Sequence, residues 1–244
     1  MNDSGTQAQA HKLKILAVDT ATEACSAALY INGELFERYE LAPREHTQLI
    51  LQMIEQLLEQ QQLSLRQLDA LALGRGPGSF TGVRIATGVV HGLAFASDLP
   101  VVPVSTLAAI AQHACRQTGH TQVAAGIDAR MGGIYWGAYV QGNNGLMQLQ
   151  GTEQIASPDA LQLPESGDWF GAGSAWGSYQ LALQQRFEQT TRVRLLDSDS
   201  TLLPHASAMA QLAATEFVQG HALPAAQAQP VYLRDNVAKK SSQQ

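Results

Sequence analysis

Lys12–Thr20 reads KLKILAVDT, and Val123–Asp128 reads VAAGID. Each is a short apolar run that ends in an aspartate, the pattern of a strand buried on both faces whose acid stands at the sheet edge. Beyond each run the chain has the same layout. Asp19 lies 13 residues before Asn32-Gly33, and Asp128 lies 16 before Asn144-Gly145. Both dipeptides tolerate positive φ and mark hairpin turns.

In the first half, the spacing predicts strands at Cys25–Ile31 and Glu34–Leu41 around the turn. A helix begins near His46, with Leu49, Ile50, Met53, Ile54, Leu57 and Leu58 on one face. A short strand at Leu71–Leu73 leads into Gly74-Arg75-Gly76-Pro77-Gly78. A helix then runs from about Ser79 to Ala96, and a strand covers Val101–Val104. In the second half, strands are expected at Ile134–Val140, Leu146–Gln150 and Trp169–Gly171, helices at Ala175–Phe187 and His205–Val218, and an extended Pro230–Arg234. The expected organisation is a flexible tail at 1–11, lobes at 12–103 and 104–225, and a segment at 226–244 that packs back on the body and ends in disorder. Such a duplication resembles the α/β, two-lobed actin-like ATPase (ribonuclease-H-like) fold, in which an acid ends the first strand of each lobe at a cleft. Asp19 and Asp128 admit two readings. A carboxylate at a strand end is within reach of a cation or a metal-bound phosphate; it is equally a turn cap.

Composition narrows the function. The chain has 244 residues, 45% of them hydrophobic and 15% charged, enough for one large core or two small ones. A net charge of −6 gives no general attraction for phosphates, so tight RNA binding by the chain alone is not expected. The two cysteines, Cys25 and Cys115, make no disulfide framework. With no apolar leader and no membrane-length apolar run, a cytoplasmic protein without membrane contact is expected.

Six ordered blocks go further: ILAVDTAT at 15–22, PREHTQ at 43–48, GRGPGSFTG at 74–82 continuing VRIATGVVHGLA, PVVPVSTLAAIA at 100–111, DARMGGIYWGAY at 128–139, and PVYLRDNVA at 230–238. Together they resemble the TsaB family, whose relatives of the TsaD type keep a catalytic site on the same architecture. The resemblance implies a non-catalytic scaffold in the complex that places a threonylcarbamoyl group on the adenosine next to the anticodon of tRNAs reading codons that start with A. It implies a TsaD-type catalytic partner, a TsaE-type ATPase, tRNA contact only through the complex, and a homodimer when the chain is alone. TsaD-type enzymes carry two metal-ligating histidines in a PxxPVNHxxxH pattern. Here Thr106 and Ile110 stand at those positions, and neither is a transition-metal ligand. No metal and no cofactor are therefore expected on this chain alone, with ATP or ADP left to the complex. For a nucleotide, the candidate residues are Asp19, Thr20, Asp128, Gly171 and Gly173, although Asp19-Thr20-Ala21-Thr22 lacks the glycine that lets backbone N–H groups approach a phosphate.

For partner binding the candidates are His46, Arg84, Gly88, His91, Gly92 and Phe95. On a helix projected at about 100° per residue, Ile85, Val89, Leu93 and Ala96 fall toward the lobe's own sheet and the named residues of this helix fall opposite. Two glycines four apart in a helix each cost about 1 kcal/mol relative to alanine and form a shallow groove for a second helix. Other readings are a stand-alone actin-like ATPase or small-molecule kinase and, more weakly, a peptidase. GRGPGSFTG lacks the Gly-Lys-Ser/Thr ending of a P-loop and is better read as a tight connection capped by Ser79. Cys25 and Cys115 read as buried apolar groups, and Trp136, Tyr135 and Tyr139 as core and sheet surface rather than a base-stacking set.

Overall fold

The computed structural model describes residues 12–234; the tails expected at 1–11 and beyond Arg234 lie outside them. The chain folds into two five-stranded mixed sheets of the same topology. The first is built from β1 (Lys14–Asp19), β2 (Ala24–Ile31), β3 (Glu34–Leu41), β4 (Ala70–Gly74) and β5 (Val101–Val104), in the order β3-β2-β1-β4-β5. The second is built from β6 (Gln122–Asp128), β7 (Ile134–Gln141), β8 (Met147–Ala156), β9 (Gly167–Ala172) and β10 (Val193–Asp199), in the order β8-β7-β6-β9-β10. In each, the first three strands form antiparallel pairs and the last two join in parallel. The fold is α/β, two-lobed and actin-like.

The period-two rule places each strand residue. Along β1, Leu16 and Val18 face one core while Ile15 and Ala17 face another. The first core lies under α1 (His46–Gln60) and α2 (Phe80–Ser97). The second lies under α6 (Ala206–Val218), which fills it with Ala206, Met209, Ala210 and Ala213. The second sheet packs on α3 (Thr106–Thr118) with one face and on α4 (Ala175–Ser178) and α5 (Gln180–Glu188) with the other. Thus α6, within the expected lobe 104–225, covers the first sheet. The chain returns from the second lobe to close the first, and α3 and α6 meet between the sheets.

Several local features differ from the sequence reading. Neither α3 nor β10 was expected. The segment between β8 and β9 forms only the single turn Pro158–Ala160 where the first half has α1, so the duplication is incomplete. The predicted helix Ala175–Phe187 breaks at Tyr179 into two. On α2 the buried face is Val83, Ala86, Val90 and Ala94, with Ile85, Val89 and Leu93 at its flank and Ala96 exposed. The face is turned because Gly82 sets the contact. A Cβ there would stand 2.0 Å from the Thr20 carbonyl oxygen, so the helix approaches β1 on the Gly82–Ala86 side.

Candidate functional site

A cleft of 970 Å³ opens between the lobes. Its first wall is the turn after β1, the start of α1 and the start of α2; its second is the loop after β6 with Ser174 and Ser178; Val231, Tyr232 and Arg234 complete it. Ser79 caps α2, its hydroxyl accepting from the Gly82 N–H. The glycine-rich turn, with a cis Gly76–Pro77 bond, packs on the turn after β1: a Cβ at Gly78 would stand 2.3 Å from the Ala21 carbonyl oxygen.

The two strand-end acids have different surroundings. Asp19 has no solvent exposure. Its Oδ1 accepts from the Ala21 N–H at 3.0 Å and its Oδ2 from the Thr106 hydroxyl at 3.5 Å. Burial outweighs those bonds and pushes its pKa from 3.8 to about 6. Thr20 is also sealed, donating to the Gly82 carbonyl at 2.6 Å. Asp128 does line the cleft. Its oxygens accept from the Arg130 N–H (2.8 Å), the Arg130 guanidinium (3.1 Å), Ser178 (3.1 Å) and Tyr179 (3.1 Å), so it acts as a turn cap. Gly171 lies beneath the Trp176 ring, and Gly173, at φ +102°, lies against the Gly126 carbonyl. Of the five nucleotide candidates, only Asp128 reaches the cleft.

The partner-binding candidates also separate. Gly88 and Gly92 are exposed, an added Cβ at either meets nothing within 4 Å, and Phe95 is 91% exposed. Arg84, one turn earlier, folds over the Phe80 ring at the cleft rim, 3.2 Å from its centroid. His46 and His91, the two histidines among the candidates, make contacts within the chain. His46 is buried, its Nε2 at 3.0 Å from the Thr22 carbonyl, and half-buried His91 sits 2.9 Å from the Ala228 carbonyl. Each ring ties its helix to a neighbouring segment. Thr106 and Ile110 begin α3 inside the protein, neither exposed. Trp136 is core, packed with Trp176 and Phe187.

Two polar clusters escaped the sequence reading because their members are far apart in the chain. Glu153 on β8 accepts from Ser105 and, at 2.6 Å, from Tyr139, and pairs with Arg75 at 3.4 Å. It thereby joins the second sheet to the turn after β4. Burial and the neighbouring carboxylate hold the Tyr139 phenol well above its usual pKa. Elsewhere the His205 ring lies between those of Tyr39 and His113, with centroids at 4.1 and 3.8 Å, while its Nδ1 meets Glu37 at 2.9 Å. Among the described residues no group of three His, Cys, Asp or Glu side chains is arranged to hold a metal ion.

A family model described as TsaD, tRNA N6-adenosine threonylcarbamoyltransferase, matches residues 39–242. The chain is 44% identical over 233 residues to the tRNA threonylcarbamoyladenosine biosynthesis protein TsaB of Escherichia coli (strain K12), covering 93% of this chain and 97% of the relative. The protein of that name from Haemophilus influenzae is 42% identical, over 93% and 96% of the two chains. Among solved structures, YeaZ from Pseudomonas aeruginosa superposes with a TM-score of 0.83 at 46% identity, over 91% of this chain and all of that one.

Proposed function

The chain belongs to the TsaB family of tRNA threonylcarbamoyladenosine biosynthesis proteins, and from that premise we propose that it is a non-catalytic subunit that activates a TsaD-type enzyme by docking on it. The observation that carries the proposal is the open face of α2. Gly88 and Gly92 leave a bare strip of helix backbone with Phe95 beside it almost wholly in solvent. Helical glycines are costly unless something packs against them, and among the described residues no neighbour does. A partner helix laid along the strip comes within backbone reach and buries the Phe95 ring, worth about 2–3 kcal/mol of association. In this reading the complex supplies the transfer chemistry, a TsaE-type ATPase and the main tRNA surface, in the cytoplasm. The face that meets the catalytic subunit also forms a homodimer when that subunit is absent. The inert role is supported by the buried settings of Thr106 and Ile110, where the catalytic relatives carry ligating histidines.

The test is co-purification of the G88L/G92L variant with a TsaD-type protein. The added side chains enter open space, so the variant should fold with a melting temperature at or above that of the unmodified chain. Its affinity for the partner should fall by about a hundredfold, as expected when several kcal/mol of close packing is lost. A folded variant that binds the partner as tightly as before would place the interface elsewhere. ATP turnover by the isolated chain would favour the stand-alone ATPase.

A further inference from the structure

The cleft is basic although the chain is acidic. Among the described residues its walls carry four arginines (Arg44, Arg84, Arg130 and Arg234) against two carboxylates, Glu23 and Asp128, in a protein of net charge −6. Both carboxylates are committed to Arg130, at 3.9 and 3.1 Å. Among the described residues Arg44, Arg84 and Arg234 therefore have no carboxylate partner. Arg234 donates to the Arg130 carbonyl at 3.1 Å and to the Met131 sulfur at 3.3 Å, so its position is held while no described carboxylate neutralises its charge. The Arg84 guanidinium stands 3.2 Å from the Phe80 ring centroid and 5.3 Å from that of Tyr232. The two rings are 5.9 Å apart, and 60% and 45% exposed. This rim joins unneutralised cations to exposed flat surfaces, the combination that holds phosphates while bases stack.

We propose that the cleft binds a stretch of single-stranded RNA, with phosphates on Arg44, Arg84 and Arg234 and a base on the Phe80–Tyr232 rim. The proposal deepens the functional reading above, in which an RNA is the substrate of the assembled complex, and rests on it for the choice of RNA. A free nucleoside triphosphate fits the walls less well. Its phosphates need a converging cradle of backbone N–H groups and a metal-binding carboxylate. Here the glycine-rich turn is closed against Ala21, and Asp19 is sealed beneath it. The three arginines come instead from separate segments, the turn before α1, the first turns of α2 and the C-terminal segment, as suits an extended polyanion. Weak binding by the isolated chain is compatible with its negative charge, because the attraction is local to the cleft.

The experiment is a fluorescence-anisotropy titration of the full-length isolated chain into a labelled single-stranded RNA of about a dozen mixed nucleotides. Binding should be weak, with Kd on the order of 10–100 µM at about 0.1 M salt, and the slope of log K against log salt should be about −2 for three phosphates. Arg84→Glu should weaken binding at least tenfold and flatten the slope. Arg44→Glu, away from the aromatic pair, should do the same and guards against a local distortion in the first variant. Duplex RNA of equal length should bind less well, and millimolar Mg-ATP should not displace the single strand. Absence of binding, charge-reversed variants with unchanged Kd and slope, equal affinity for duplex, or full displacement by Mg-ATP would each overturn the proposal. The titration needs no partner, so a failed co-purification leaves it standing, and a flat titration leaves the α2 docking face standing.

Discussion

Replacing Asp19 with asparagine should stabilise the protein at neutral pH, because its carboxylate is ionised where nothing solvates it well. The side chain is fully buried, with one backbone N–H and one long hydroxyl contact for partners. Burial raises its pKa from 3.8 to about 6. Between those values the folded state keeps a proton that the unfolded chain has lost, so stability falls as pH rises through the window, by about 3 kcal/mol in all. Asparagine keeps the shape: its carbonyl can accept from Ala21 and its amide can donate to the Thr106 hydroxyl. Allowing for the cost of burying the amide, the gain near pH 7 should be about 1–3 kcal/mol, or roughly 2–10 °C in Tm for a chain of this size. The unmodified chain hides this slope. Burial, then the neighbouring His205 charge, lowers His113 from 6.5 to about 4. Below 6.5 the unfolded chain takes up that proton and the folded one does not, so stability falls with falling pH across nearly the same window. Glu37 acts against that shift by drawing His113 upward, and Arg116 adds to it. The two trends oppose each other, and the informative quantity is the difference between D19N and the unmodified chain. Measured by urea unfolding, that difference should be largest at about pH 7 and smaller by about 2–3 kcal/mol at pH 4, where the buried carboxyl is protonated. A D19N protein that is less stable at neutral pH, or a gain that stays constant across the window, would refute the account of Asp19 as a strained packing group.

Other substitutions probe the remaining links. The G88A/G92A double variant should raise stability by about 2 kcal/mol, since both positions are helical and open, with the increase read from the urea midpoint. Glu153→Ala should cost about 2–4 kcal/mol by leaving Tyr139 and Arg75 without their shared acceptor, with Glu153→Gln costing less; chemical denaturation of both separates the charge from the hydrogen bonds. Gly82→Ala should be damaging, by about 3 kcal/mol or more, because its Cβ would meet backbone rather than a side chain able to yield; loss of soluble protein or a large drop in Tm would register it.

The sheets were legible in the sequence because their information is local. KILAVD and VAAGID carry the unbroken apolar run of a strand covered on both faces, and Asn32-Gly33 and Asn144-Gly145 announce the hairpins next to them. The alignment of those signals in two halves was enough for the duplicated architecture, and the glycine pair and Phe95 stood out because their intrinsic cost or exposure is a property of the helix itself. By contrast, α3 was overlooked. Its Leu107, Ile110, Ala111 and Ala114 are buried by the second sheet, but it comes directly after β5, capped by Ser105, and its alanine-rich apolar run at 107–111 leaves no contrasting polar face there.

What only the tertiary structure decided depends on which distant segments meet. Asp19 and Asp128 are equivalent in sequence, yet Asp19 is closed in by Gly74 at the end of β4 and Thr106 of α3 while Asp128 is held at the cleft by Arg130, Ser178 and Tyr179. The His46 ring is buried because its partner is a carbonyl 24 residues earlier, and His91 is held by one 137 residues later. The arginines of the cleft are scattered through an acidic chain, and nothing in the spacing of Arg44, Arg84 and Arg234 shows that they share a wall. Periodicity along a chain reports which face of an element is apolar, because that is a one-dimensional pattern. Whether a charged or polar side chain ends in water, in a pair or in the core is set by the surfaces that the fold brings against it, and those are chosen in three dimensions.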